Sequence, residues 1–180
     1  LFASPEIMIR EGLLEDNDLE SAPEFSSDRV QYSLVLDFKI KLLSKSYDTF
    51  KESVEKNEFE KFCVDNSYWL EDFCLFSALK NHFGGRSWSE WPEDIKRRNA
   101  VHHYTDSLRE YLEREKYFQF VLFYQWKELQ KYCRNKGIRV FGDVSLYVNH
   151  DSADVWAHPE LFKLDQELNP VVVAGVPPDY

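Results

Sequence analysis

The sequence predicts an α/β fold that is mostly helical, and two observations carry that prediction. Between Asn57 and Asn135 apolar residues recur at helical spacing, with Gly84-Gly85 and Gly137 standing where helices would be capped. Directly after Gly137, Ile138-Arg139-Val140-Phe141 reads as a short buried strand. Helix, glycine turn and strand together form the repeating unit of α/β folds.

Taken in order, residues 5–29 mix Pro, Asp, Glu and Ser around Leu13-Leu14, which predicts a short helix and then a loop through Ser26-Ser27-Asp28. The next stretch supports two readings. Val30, Tyr32, Leu34, Leu36, Phe38, Ile40 and Leu42 alternate as a strand would, while Val30, Leu34, Phe38 and Leu42 also form a helical stripe. From Asn57, Trp69, Phe73, Phe76, Lys80 and Phe83 follow a helical face that stops at Gly84-Gly85. Ser87 to Pro92, with Trp88 and Trp91, reads as a packed connecting loop. A second helix is expected from about Ile95 to Glu113. A third is expected from about Lys116 to Asn135, with Phe118, Leu122, Trp126, Leu129 and Cys133 on one face.

The bulk numbers set limits on function. At 180 residues the chain can bury one ordinary core. A net charge of -10 argues against nucleic acid as a partner, because phosphate binding needs clustered Lys and Arg. Lys96-Arg97-Arg98 is too short a basic run to alter this and reads as solvated helix surface. No apolar stretch approaches the roughly 20 residues of a spanning helix, so no membrane partner is expected. The first residues, Leu1-Phe2-Ala3-Ser4-Pro5, lack the basic start and apolar core of a signal peptide, and lack an initiator Met. Cys63, Cys74 and Cys133 are too widely spaced for a disulfide framework or a zinc pattern, which points to reduced, buried thiols of a cytoplasmic protein.

Several constellations can be weighed for chemistry. A carboxylate at the C-terminal end of a parallel-barrel strand points into the active-site mouth, which makes Asp143 the first candidate functional residue; a loop or capping carboxylate is the alternative. His150, Asp151, Asp154 and His158 are metal-ligand types, but the two histidines lie eight apart, on different helical faces. Asp151 or Ser152 also suits an N-cap for the turn that follows. No metal and no cofactor is therefore expected. Glu71 and Asp72 are adjacent, so on a helix they diverge by about 100° and serve salt bridges better than paired catalysis. Aromatic residues make up 16% of the chain; sugar clefts use aromatic faces, yet most of these fall at core spacing. A nucleophile elbow, a phosphate loop and a dinucleotide fingerprint are all missing from the sequence.

One long run is more specific. Gly142-Asp143-Val144-Ser145-Leu146-Tyr147-Val148-Asn149-His150-Asp151-Ser152-Ala153-Asp154-Val155-Trp156-Ala157-His158-Pro159 resembles the signature of the 4-α-glucanotransferases, also called amylomaltases or disproportionating enzymes (glycoside hydrolase family 77). Val173-Ala174-Gly175-Val176-Pro177-Pro178-Asp179-Tyr180 resembles that family's Gly-Val-Pro-Pro-Asp motif. Trp69-Leu70-Glu71-Asp72-Phe73, Gly85-Arg86-Ser87-Trp88-Ser89-Glu90-Trp91-Pro92 and Phe123-Tyr124-Gln125-Trp126 match in the same order. The likeness is strong from about Asn66 to Tyr180 and weaker over residues 1–30.

The resemblance implies a (β/α)8 barrel with a large inserted helical subdomain. Residues 1–136 would be mostly the helical insertion, and residues 137–180 would supply a barrel strand and loops at its mouth. It also favours helix for residues 30–45. The implied activity is transfer of α-1,4-glucan segments between maltodextrins, or glucans derived from starch or glycogen, with retention of configuration. The family's three catalytic carboxylates lie C-terminal to the Val-Pro-Pro-Asp loop, so the resemblance assigns no catalytic residue within residues 1–180. The expectation is an internal fragment, inactive alone and exposing unpaired strand edges and apolar surface. Asp143 is implied as a substrate-contacting or supporting carboxylate, and Pro178, Asp179 and Tyr180 as part of a loop over the glucan cleft. Ser145 stands where the family usually has Pro, and Asn149 where a small residue is common. A non-catalytic glucan-binding or interaction module is the alternative from another class.

Overall fold

The computed structural model describes residues 2–53, 56–173 and 175. Its described residues form eight α-helices and short 3-10 turns, with no strand; the only β pairing among them is an isolated antiparallel bridge between Leu164 and Pro170. No helix among these residues is long and apolar enough to cross a membrane. The chain packs as two units, Leu1–Asp65 with Lys116–Val140, and Asn66–Glu115 with Phe141–Tyr180.

The first unit holds α1 (Pro5–Arg10), α2 (Tyr32–Lys51), α3 (Asn57–Asp65) and most of α7 (Arg109–Asn135). Ser4 caps α1, its hydroxyl accepting from the Ile7 amide at 3.3 Å, and Pro5 fills the first helical turn, where its missing N–H costs nothing. The expected short helix thus forms ahead of Leu13-Leu14, which follow the left-handed Gly12.

Helix α2 settles the ambiguous stretch as helix. Leu42, Leu43, Ser46, Tyr47 and Phe50 are buried, while Tyr32, Leu36 and Ile40 are exposed. The strand-like alternation was therefore two helical stripes, one turned to the core and one to solvent. Around Tyr117 the core is aromatic: its ring stacks on Phe50 at 4.7 Å, and Phe50 meets Phe59 edge-on at 5.3 Å. The Tyr117 hydroxyl donates to Ser46 Oγ at 3.1 Å, and Ser46 donates in turn to the Leu43 carbonyl at 2.8 Å. Burial pushes the Tyr117 hydroxyl up to about 12.

Helix α7 begins seven residues earlier than expected and buries a different face. Tyr117, Val121 and Gln125 are inside, whereas Trp126 and Leu129 of the expected stripe are exposed. Gln125 is drawn inward because its amide pairs with the Ser4 backbone, accepting from the N–H at 2.7 Å and donating to the carbonyl at 3.1 Å. Gly137, at φ 70°, ends the helix as expected. Its N–H donates to the Arg134 carbonyl and the Ile138 N–H to the Cys133 carbonyl, at 3.0 and 2.9 Å.

The second unit holds α4 (Ser67–His82), α5 (Glu93–Lys96), α6 (His102–Thr105) and α8 (Ala153–Ala157). Gly84 and Gly85 both take positive φ and close α4, the Gly85 N–H donating to the Lys80 carbonyl at 2.8 Å. Trp88 and Trp91 are buried in the connecting segment, as expected. The helix expected from Ile95 to Glu113 is broken instead. Arg98 sits at φ 62°, its guanidinium paired with Asp72 and lying 4.5 Å from the centre of the Trp156 ring. Those contacts offset the roughly 1–2 kcal/mol that a left-handed residue costs, and they stop α5 after one turn. Arg98 is thus a structural pin and not solvated surface. Asp72 takes the salt-bridge role expected of it. Of the three cysteines only Cys74 is fully buried, Cys63 and Cys133 being half-buried, which corrects the expectation for two of them.

The strand expected at Ile138–Phe141 does not form. Ile138, Val140 and Phe141 are exposed, and no backbone ladder engages them. A parallel strand gains its hydrogen bonds from neighbouring strands, and no such neighbour exists among the described residues.

Candidate functional site

The run that carried the family signature, Gly142 to Pro159, begins as an exposed segment and becomes anchored at His150-Asp151. Asp143 is exposed, and one of its carboxylate oxygens accepts from the next residue's N–H, on Val144, at 2.7 Å. Among the described residues no other side chain forms a hydrogen bond or ion pair with it.

Anchoring falls to Asp151 and Trp88. Lys80, projecting from the last turn of α4, forms an ion pair with Asp151 Oδ2. The other oxygen of Asp151 accepts from the Trp88 backbone N–H at 3.3 Å. The Trp88 indole N–H donates to the His150 carbonyl at 2.6 Å, and the two rings lie 4.8 Å apart. Ser152 then caps α8, accepting from the Val155 N–H at 3.4 Å; of the two candidate caps, the serine holds the position and the aspartate serves the anchor.

Beyond α8 the chain folds back on itself. Leu164 bridges Pro170, and Asp165 closes the intervening turn by accepting from the Asn169 and Glu167 backbone N–H groups at 2.8 and 3.0 Å. Hydrogen bonds from the Asn169 backbone and its neighbours hold the Asp165 carboxyl below the usual carboxylate range. Leu168, inside the turn, takes φ 65°.

Between the anchored segment and this hairpin lies an open cleft of about 410 Å³. One wall is Leu146, Tyr147, Val148 and His150; the other is Phe162, Lys163, Leu164 and Pro170, continuing into Val172 and Val173. Apolar surface, a tyrosine, a histidine and a lysine make a lining able to stack a neutral ring and hydrogen-bond its rim. The Tyr147 hydroxyl reaches the Gly175 carbonyl at 3.5 Å.

Pro178, Asp179 and Tyr180 lie outside the described residues. The four metal-ligand types do not converge: His150 faces Leu168, Asp151 is paired with Lys80, Asp154 is exposed, and His158 lies 3.4 Å from Glu160. Among the described residues no three His, Cys, Asp or Glu side chains are placed to share a metal ion. Sequence reasoning missed Lys163 and placed Lys80 on a helical face without a partner. It quoted Trp88 and Tyr147 inside motifs without a role, and only the density of motif residues around Trp88 could have pointed to it.

Comparison with known proteins gives a consistent result. A family model described as 4-alpha-glucanotransferase matches residues 1–180. The chain is 39% identical over 178 residues to a 4-alpha-glucanotransferase of Aquifex aeolicus, spanning 98% of this chain and 35% of that protein. It is 37% identical over 191 residues to a chloroplastic/amyloplastic 4-alpha-glucanotransferase of Solanum tuberosum, spanning 99% and 32%. Among solved structures, the amylomaltase of Streptococcus agalactiae in complex with acarbose superposes with a TM-score of 0.91 at 33% identity, covering 99% of this chain and 37% of that one. The chain therefore spans about a third of the length of these relatives.

Proposed function

This chain belongs to the 4-alpha-glucanotransferase family, and we propose that it forms part of the glucan cleft of an enzyme that passes α-1,4-glucan segments from one maltodextrin to another. The observation that carries this reading is the family match across the whole chain, from residue 1 to residue 180. The cleft supports it, because one of its walls, Leu146, Tyr147, Val148 and His150, comes from the run that carries the family signature.

Transfer with retention takes two displacements. A carboxylate forms a glycosyl-enzyme, and a second carboxyl group acts first as acid and then as base. By family resemblance those groups lie outside residues 1–180, so this segment binds and positions. Asp143, exposed and without a side-chain partner among the described residues, is proposed to hydrogen-bond sugar hydroxyls. Pro178, Asp179 and Tyr180 are proposed to cover the cleft and favour an acceptor sugar over water, since excluding water suppresses hydrolysis. Within a complete (β/α)8 barrel, Ile138–Phe141 is proposed to serve as a strand paired with neighbours from the rest of the protein. On this reading residues 1–136 are mainly the helical insertion and residues 137–180 belong to the barrel mouth.

The test is incubation of residues 1–180 with maltotriose, followed by analysis for glucose and longer maltodextrins. The expected result is no transfer. Robust disproportionation would refute the placement of the catalytic carboxylates outside this segment. Glucan binding by the intact protein with no transfer would favour a binding module.

A further inference from the structure

The two walls of the cleft are joined through one side chain. His150 belongs to the first wall, and its Nε2 lies 3.0 Å from the carbonyl oxygen of Leu168, in the turn that closes the second. A carbonyl can only accept, so Nε2 carries the proton; in the neutral ring this leaves Nδ1 as the acceptor. We propose that His150 is a positioning residue that braces the two walls and thereby sets how tightly the cleft holds glucan. The proposal rests on reading the cleft as a glucan site.

The brace is fixed at both ends. At its base, the His150 carbonyl accepts the indole N–H of the fully buried Trp88 at 2.6 Å, and the two rings pack 4.8 Å apart. The neighbouring Asp151 is held by Lys80 and by the Trp88 N–H. The imidazole therefore starts from an immobilised backbone, with one ring face packed against the Trp88 indole. At its far end stands a hairpin with a single β-bridge and a leucine at φ 65°. Two-stranded hairpins are marginal in water on their own, and leucine takes left-handed backbone only at a cost. A hydrogen bond to the carbonyl of that leucine holds the turn where its own pairing is weakest. With Nε2 committed to Leu168, His150 acts on the sugar through the shape of the cleft.

The test compares His150→Leu, which keeps bulk but cannot donate, with His150→Gln, whose amide can. In the intact enzyme with maltotriose, His150→Leu is expected to raise KM about fivefold, the effect of one neutral hydrogen bond, with kcat within about twofold; His150→Gln should return KM to within about twofold of the parent. An unchanged KM, or a fall in kcat alone as from a smaller folded fraction, overturns the proposal. Amide hydrogen exchange gives a readout independent of activity. The N–H groups of Asp165, Leu168 and Val171, bonded to the carbonyls of Asn169, Asp165 and Lys163, should exchange about fivefold faster in His150→Leu while those of α4 are unchanged. Equal exchange in parent and variant overturns the brace whether or not the enzyme transfers glucan. A parent enzyme that exchanges as expected but fails to disproportionate maltotriose refutes the glucan reading instead.

Discussion

Aromatic residues do different work in the two packing units. In the unit built from Leu1–Asp65 and Lys116–Val140, phenylalanine and tyrosine rings meet one another: Phe50 with Tyr117, Phe59 with Phe120 at 5.6 Å, and Phe62 with Phe123 at 5.4 Å. In the unit built from Asn66–Glu115 and Phe141–Tyr180, three buried tryptophans each donate an indole N–H to a backbone carbonyl: Trp88 to His150, Trp91 to Arg86 and Trp156 to Ile95, at 2.6, 3.3 and 3.1 Å. The first arrangement fills a core. The second pegs backbone outside any ladder at Arg86 and His150 and the one-turn helix α5 at Ile95, and the cleft begins at His150. A ring with one polar edge can both fill space and hold a loop, which a phenylalanine cannot do.

The sharpest way to break this comparison is Trp156→Ala. It removes a ring that is 1% exposed together with its hydrogen bond to the Ile95 carbonyl, with an expected loss of about 3–5 kcal/mol by urea unfolding. Trp88→Phe keeps most of the volume but deletes the N–H that holds His150. A loss of about 1–3 kcal/mol is expected, accompanied by faster amide exchange through residues 143–151. The matching change in the aromatic unit, Tyr117→Phe, removes only the bond to Ser46, whose own donor remains satisfied by Leu43. It should cost about 0.5–1.5 kcal/mol. If Tyr117→Phe proved more damaging than Trp88→Phe, the contrast between the units would be wrong.

The smallest effect concerns Glu115, in α7. Burial raises its carboxyl above the usual range, with Arg114 and Tyr111 acting in the opposite direction. A carboxyl raised in the folded state makes stability fall as pH rises through the usual carboxylate range towards the folded value. Glu115→Gln escapes that penalty. Its Tm should exceed the parent's at about pH 7 and converge with it at about pH 4; an unchanged difference between the two pH values would contradict the assignment.

How much of this was legible in the sequence varies with the range of the interaction. The glycine caps at Gly84-Gly85 and Gly137 depend on adjacent residues, and all three glycines take positive φ. Helix α2 was ambiguous because its core stripe and solvent stripe are both apolar, which mimics alternation. The buried face of α7 was misplaced because a glutamine sits in its row, and the reason for burying Gln125 lies 121 residues away at Ser4. The break after α5 was hidden for a similar reason, since Arg98 meets partners at Asp72 and Trp156. The site shows the same pattern. The Gly142 to Pro159 run was readable as a family signature, but the brace at His150 joins Trp88 and Leu168, which no local spacing connects. The strand expected at Ile138–Phe141 was readable only as a composition, and it does not form among the described residues because a strand needs a partner to exist.

As proposed, this chain shapes a glucan cleft, and the rest of a 4-alpha-glucanotransferase supplies the chemistry. The most direct measurement follows the products formed from maltotriose by the intact protein, by chromatography and mass spectrometry. Glucose together with maltodextrins longer than maltotriose is expected, with transfer strongly reduced in Asp143→Ala. Products limited to glucose and maltose, with no chain longer than the substrate, would contradict it.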